Sequence, residues 1–208
     1  MSDTNFEKLV EPLKALLTQH HTLYSSTCKD VYAEELFAKA LIASGYGTDW
    51  KPDGNHGVGK DQTTDCGIKI SNKSGQLVFG NKDSKRKIKS TKLKINGSRL
   101  TTHKTLEEKL EFLKIKHQDF ILSLATSAKD WKSGKKIYHL IVINSDDLDY
   151  HNAVWEDTIG VRGGGKGKVV GHKCVGNGYT AKIQKSMSDQ LWTDIDESLF
   201  KVIYEIVI

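Results

Sequence analysis

The sequence is poor in cysteine and has no long apolar run, and each absence excludes a class of protein. Its three cysteines, Cys28, Cys66 and Cys174, are far apart and lack the paired spacing of zinc ligands. An odd number of scattered cysteines favours a reducing compartment over a disulfide framework. No apolar stretch is as long as a membrane span, and no N-terminal succession of charged, apolar and small residues indicates a secretory signal. We therefore expect a cytoplasmic protein with no zinc site and no membrane partner.

Two patterns that bind phosphate or metal are also missing. The nucleotide-binding loop GxxxxGK[ST] does not occur. The 8 histidines are spread along the chain without the histidine, asparagine and second histidine of the ββα-type metal nucleases. We therefore expect neither a P-loop enzyme nor a histidine-metal nuclease.

The composition predicts one basic, globular α/β domain. At 208 residues, with 38% hydrophobic and 27% charged residues, the chain is long enough for one good core, and two domains would be cramped. The net charge is only +5. Between Lys82 and Lys104, however, every charged residue except Asp83 is basic. Such a field binds polyphosphate by releasing counterions, so we expect nucleic acid as the partner, with a solvated lysine-rich loop as the alternative.

The segment Gly59–Gly75 fits a short β-hairpin. Asp61–Thr63 can form its first arm, and the second arm, Ile68–Lys73, alternates between apolar and polar residues. That alternation places Ser71 and Lys73 together on the polar face. A carboxylate and a lysine at neighbouring strand ends suit a metal-dependent phosphodiesterase, because the acid holds Mg²⁺ and the ammonium polarises water or phosphate.

This arrangement resembles the PD-(D/E)XK nuclease core, in which an aspartate starts one strand and an acid-x-lysine triplet ends the next. Asp61 matches the aspartate, and Ser71-Asn72-Lys73 matches the triplet, with Ser71 where the family usually has a second carboxylate. A rival register uses Asp65 as the metal aspartate, but only five residues then separate it from Ser71. We favour Asp61, and an ordinary solvated hairpin remains the alternative.

Members of this family commonly carry a glutamate on the helix before the hairpin. Periodicity predicts a helix over residues 30–44, ending before Gly45. Glu34 lies at the margin of its apolar face and is the candidate metal ligand, whereas Glu35 points almost opposite and is the fallback. The alternative is a pair of surface glutamates that favour the helix start.

The resemblance implies a fold, an activity and an assembly. It implies a mixed central β-sheet flanked by helices, in the order helix, three strands, helix, strand over about residues 30–145, followed by a glycine-rich, basic C-terminal β/loop region. It further implies Mg²⁺-dependent hydrolysis of double-stranded DNA, as in Type II restriction enzymes, with homodimers by analogy alone. Asp61 would bind Mg²⁺, Lys73 would orient or deprotonate water, Glu34 would complete the acidic set, and Ser71 would bind the metal weakly or a metal-bound water. A non-catalytic nucleic-acid-binding protein and a structure-selective repair or junction nuclease are the alternatives.

We divide this single domain into three parts. Residues 1–28 would form an N-terminal helical cover, residues 29–145 the catalytic core, and residues 146–208 the elements that contact DNA, a second subunit or the core. Within the core, Phe120–Leu124 and Tyr138–Ile143 are predicted as buried strands, and Lys129–Lys136 as a hairpin loop. Trp155 and Trp192 are predicted to belong to the core.

Several cationic or small residues are candidate DNA contacts. Gly97-Ser98-Arg99 brings amides and a guanidinium together, and the capping box of Thr105 and Glu108 starts a helix whose free amides could hold an anion. The glycine-rich segment Val161–Gly178 could approach DNA closely as a loop or β-ribbon. The full set of candidates is Arg99, Ser98, Lys92, Lys94, His103, Lys104, Arg162, Lys166, Lys168, Lys173 and His56.

Overall fold

The computed structural model describes residues 5–28, 30–50, 61–80, 87–96, 98–115, 118–160, 167–185 and 189–208. These residues form a large mixed sheet with a few helices, which confirms the predicted mixed α/β class. A 3₁₀ turn, Phe6–Leu9, leads into the first helix. The helices are α1 (Val10–Leu23), α2 (Asp30–Ala43), α3 (Leu106–Ile115) and α4 (Ala128–Lys132); the strands are β1 (Gln62–Thr63), β2 (Lys69–Phe79), β3 (Ile88–Asn96), β4 (Phe120–Thr126), β5 (Ile137–Asn144), β6 (Trp155–Gly160), β7 (Lys168–Gly176), β8 (Tyr179–Gln184), β9 (Gln190–Asp196) and β10 (Phe200–Val207).

The sheet order is β10-β5-β4-β2-β3-β9-β8-β7-β6, and β1 pairs with one end of β2. Strands β2 and β4 run parallel, with α3 in the connection between β3 and β4, and every other pairing between described residues is antiparallel. From α2 to β4 the chain therefore has the predicted order of one helix, three strands, one helix and one strand.

Two hydrophobic cores cover opposite faces of the sheet, because successive side chains of a strand point to opposite faces. The first core lies under α1 and α2, where Phe37 and Leu41 pack with Ile70 and with residues of β4, β5 and β10. The second core lies on the other face, where Leu93 and Ile183 pack with α3 and the C-terminal strands. The predicted apolar face of α2 is confirmed as part of the first core, and Gly45, with φ +81°, follows the helix.

Two expectations about the chain after residue 128 are wrong. The segment predicted as a hairpin loop begins with α4, whose N-cap Ser127 accepts a hydrogen bond from the Asp130 N–H. Trp155 packs against the second core, but Trp192 is 41% exposed on the opposite face. In the described part of the chain, no helix has both the length and the apolar character needed to cross a membrane.

Candidate active site

The carboxylate of Asp61 is the meeting point of three donors from the hairpin. Its Oδ2 atom accepts hydrogen bonds from Ser71 Oγ at 3.2 Å, from the Asn72 backbone N–H at 2.5 Å and from Lys73 Nζ at 3.0 Å. The side chains of Asp61 and Lys73 are each 18% exposed, so the ion pair is partly shielded from water. The hairpin thus brings together three of the predicted catalytic residues.

Local strand geometry explains this convergence. Gln62 and Thr63 pair antiparallel with Ile70 and Lys69, and the Asp61 N–H donates to the Ile70 carbonyl at 3.1 Å. Ser71 and Lys73 share one face, since side chains two residues apart on a strand point the same way. The Asn72 N–H lies in the plane of the sheet, so the carboxylate that it contacts is at the edge of β2.

The sheet opens beside this carboxylate. Strand β2 pairs with β1 at Lys69 and Ile70 and with β3 only from Gly75 onward, and among described residues the segment between them pairs with β4 alone. A cavity of about 180 Å³ lies next to this edge and has room for several water molecules. Its walls combine residues from α2, β2 and β3: Ala33, Glu34, Asn72, Lys73, Ser74, Lys94 and Ile95.

The two candidate glutamates of α2 have different surroundings. Glu34 lines the cavity, on the side where α2 packs on the sheet. Glu35 instead forms an ion pair with Lys39 at 2.7 Å on the outer surface of the same helix. Of the two, the geometry favours Glu34.

Asp65 does not join the pair formed by Asp61 and Lys73. It lies in the exposed turn between β1 and β2, where its N–H donates to the Tyr46 carbonyl at 3.1 Å. Its carboxylate packs directly on Gly47, which leaves no room there for a Cβ. The contacts therefore do not support the rival register, because the donors of the triplet reach Asp61 instead.

Asn72 is a residue of the site that the sequence analysis missed. Its side chain is 4% exposed and lines the cavity, and neither Oδ1 nor Nδ2 has a hydrogen-bond partner among the described residues. Buried amides are normally bonded, so these atoms are suited to a ligand or a water. The signal in the sequence was an asparagine on the strand face that also carries Ile70.

The side chains at this edge can hold Mg²⁺ only as an ion with few protein ligands. The described residues contain no group of three His, Cys, Asp and Glu side chains close enough to hold a metal. However, the described donors all bind Oδ2 of Asp61, which leaves Oδ1 for a cation, and the Asn72 amide oxygen is unbonded. Mg²⁺ commonly keeps several waters and binds one or two carboxylates plus substrate phosphate, so the residues fit such an ion.

The predicted anion site at the start of α3 is already filled by the protein. The capping box is confirmed, since the Glu108 N–H donates to Thr105 Oγ1 at 3.2 Å. The Glu108 carboxylate in turn accepts from the Lys104 N–H at 2.6 Å and the Thr105 N–H at 3.3 Å. His103 stacks on Phe112, with ring centroids 4.4 Å apart. These amides are therefore not free to bind phosphate. The reason for predicting His103 and Lys104 as DNA contacts, an anion held at this helix start, no longer applies.

The remaining candidate DNA contacts are spread along the sheet. Lys92 and Lys94 are exposed on β3, next to the opening. Lys168 and Lys173 are on β7, the fourth strand from β2, which corresponds to roughly 19 Å at the usual strand spacing. The main chain of Ser98 and Arg99 is in a 3₁₀ turn, but their side chains, like His56, Arg162 and Lys166, lie outside what the structure describes.

No protein-family model, curated protein or solved structure matches this chain.

Proposed function

We propose that this protein is a Mg²⁺-dependent endonuclease for double-stranded DNA, of the PD-(D/E)XK class and similar to Type II restriction enzymes. The observation that carries the proposal is the convergence of Ser71, Asn72 and Lys73 on the Asp61 carboxylate at an open strand edge. The order of elements from α2 to β4 agrees with the restriction-endonuclease-like core.

In this proposal, the two oxygens of Asp61 have different tasks. Oδ2 is fixed by its three donors, so the carboxylate has a defined orientation in which Oδ1 would bind the cation. The Asn72 amide oxygen and the Glu34 carboxylate, both on the cavity wall, would bind the ion directly or through its waters. When bound, Mg²⁺ would neutralise charge that develops on the phosphate during in-line attack.

Lys73 would act on the water and on the phosphate. Its ammonium group is 3.0 Å from Asp61 Oδ2, which fixes the position of the positive charge at the strand edge. From there its remaining N–H groups can orient the attacking water and stabilise a phosphate oxygen. The Ser71 hydroxyl already donates to the carboxylate, so it would contribute by keeping Asp61 in place.

The predicted partner and assembly complete the proposal. The exposed lysines Lys92 and Lys94 border the opening and would meet the DNA backbone. A homodimer with one active site for each strand is proposed by analogy with small restriction enzymes.

Cleavage of phage or plasmid DNA in Mg²⁺ tests this function. Wild-type protein should give discrete fragments, whereas Asp61→Ala and Lys73→Ala should give none. A Lys135→Ala variant, changed at an exposed lysine beyond α4, is a matched control and should cleave like wild type. Intact DNA after incubation with purified wild-type protein, or equal cleavage by all variants, would refute the proposal.

A non-catalytic nucleic-acid-binding protein is the second candidate. The small number of acidic ligands near Lys73 favours it, because the described residues give no three-member metal group. Uncut DNA with a strong, salt-sensitive mobility shift would support this alternative. Cleavage confined to branched DNA would instead indicate a structure-selective nuclease.

A further inference from the structure

A row of cationic side chains with one tryptophan crosses strands β3, β9, β8 and β7. It lies on the same face of the sheet as α1 and α2, but beyond the strands that these helices cover. The strand registers place Lys94 opposite Trp192, Trp192 opposite Lys182, and Lys182 opposite Lys173. Residues opposite each other on neighbouring strands project from the same face. The described residues of the first core include none from β3, β9, β8 or β7.

This row begins at a groove beside the candidate active site. A cavity of about 560 Å³ lies against β2, β3, β9 and α4, and it shares Ser74 and Lys94 with the cavity at the open strand edge. Its walls include two indoles, Trp131 and Trp192, together with exposed lysines. The volume is within the usual range of ligand pockets, roughly 300–1,000 Å³.

Trp192 is held in an exposed and ordered position. It is 41% exposed although it is flanked on β9 by the buried residues Leu191 and Thr193. Its Nε1–H donates to Gln190 Oε1 at 3.2 Å on the same face of the same strand, which restricts rotation of the ring. An exposed indole between lysines combines a stacking surface with phosphate-binding charge, the combination found in single-strand binding surfaces.

We propose that this face binds one unpaired DNA strand, with a base stacked on Trp192 in the groove and the backbone following Lys94, Lys182 and Lys173. The inference rests on the proposed nuclease function in one respect, because it makes the groove the path by which a strand reaches Asp61 and Lys73. It implies that at least one nucleotide beside the cleavage position leaves the duplex stack.

Fluorescence anisotropy with a labelled single-stranded thymidine 20-mer, in EDTA, tests the stacking. Trp192→Ala should weaken binding by about 5- to 150-fold, the usual effect of removing one base-stacking ring. Trp192→Phe keeps an aromatic face and should recover most of the affinity. Trp155→Phe is the matched control, since this indole packs on the opposite face, and it should leave binding unchanged.

The salt dependence of the same measurement tests the lysine row. Lys182→Ala and Lys173→Ala should each lower the slope of log K against log salt by about 0.7, the value for one phosphate contact on a single strand. Lys201→Ala, on β10 at the other end of the sheet, should not change the slope.

Either of two results would overturn the inference. The first is that Trp192→Ala binds the 20-mer within twofold of wild type. The second is that Trp192→Ala reduces the affinity for a blunt duplex as much as the affinity for the single strand. Because EDTA removes divalent metal, binding is scored separately from cleavage. A wild-type protein that binds through Trp192 but cuts nothing refutes the nuclease proposal alone. A protein that cuts DNA while Trp192→Ala binds normally refutes the single-strand path alone.

Discussion

The ion pair between Asp61 and Lys73 gives the sharpest test of the site geometry in the absence of DNA. We consider the variants Asp61→Asn and Lys73→Met, which remove one charge each and keep side-chain size nearly constant, together with the double variant. If the two side chains meet as described, their effects on the free energy of unfolding will not add, because the second substitution removes an interaction already lost.

The size of this coupling follows from the distance and the exposure. At 3.0 Å between Nζ and Oδ2, Coulomb's law gives about 1.4 kcal/mol in water and about 5.5 kcal/mol at an effective dielectric constant of about 20. Both groups are 18% exposed, so part of the gain is offset by their desolvation. We expect a coupling energy of about 1–3 kcal/mol, above the range for exposed pairs.

Urea unfolding of the four proteins in EDTA, followed by circular dichroism, measures this energy. In thermal unfolding of the same proteins, the single variants should each lower the melting temperature by roughly 2–4 °C for every 1 kcal/mol lost, as usual for a chain of this size. Glu35→Gln paired with Lys39→Met is the matched control, because that surface pair on α2 should show a coupling below about 0.5 kcal/mol. A coupling between Asp61 and Lys73 below about 0.3 kcal/mol would refute the convergence of the two side chains.

Three further predictions concern buried or partly buried polar groups. Tyr138→Phe removes a hydroxyl that accepts from the Cys28 N–H at 2.9 Å and bonds His21 Nε2 at 2.8 Å, so urea unfolding should show a loss of about 1–3 kcal/mol, and a loss below about 0.3 kcal/mol would contradict this bond. Burial lowers the pKa of His21 from 6.5, so the unfolded chain binds this proton at higher pH than the folded protein does. The melting temperature should therefore fall as pH drops below 6.5, and it should fall more for wild type than for His21→Gln. Parallel plots of melting temperature against pH for the two proteins would exclude the effect. The buried ammonium of Lys109 lies 3.3 Å from the Asp189 carboxylate, and Lys109→Met leaves that carboxylate without its cation. Urea unfolding should show a loss of about 3 kcal/mol in the free energy of unfolding. An unchanged urea midpoint would contradict this ion pair.

The core of the candidate site could be predicted because it depends on local pattern. Alternation with period two was enough to place Ser71 and Lys73 on one face, and turn chemistry was enough to bring Asp61 beside them. The contacts at Oδ2 agree with that prediction and favour Asp61 over Asp65. Likewise, helical periodicity placed the apolar face of α2 on the sheet, which left Glu34 at the cavity.

The surroundings of the site could not be predicted, because they depend on pairing between distant segments. The opening beside Asn72 exists because β2 pairs with β4, about fifty residues later, while β3 leaves β2 at Gly75. The exposure of Trp192 depends on the register of β9 between β3 and β8. A tryptophan in an alternating strand fits either face, and local sequence contains no information about which face is covered.

The rate of DNA cleavage by Lys73→Met, measured in a single turnover with Mg²⁺ and excess enzyme, tests the central claim most directly. Loss of one positioned cation from the reacting phosphate should slow the reaction by about 10²- to 10³-fold while DNA binding in EDTA stays within a few-fold of wild type. Cleavage by Lys73→Met within threefold of the wild-type rate would contradict the assignment of this strand edge as the hydrolytic site.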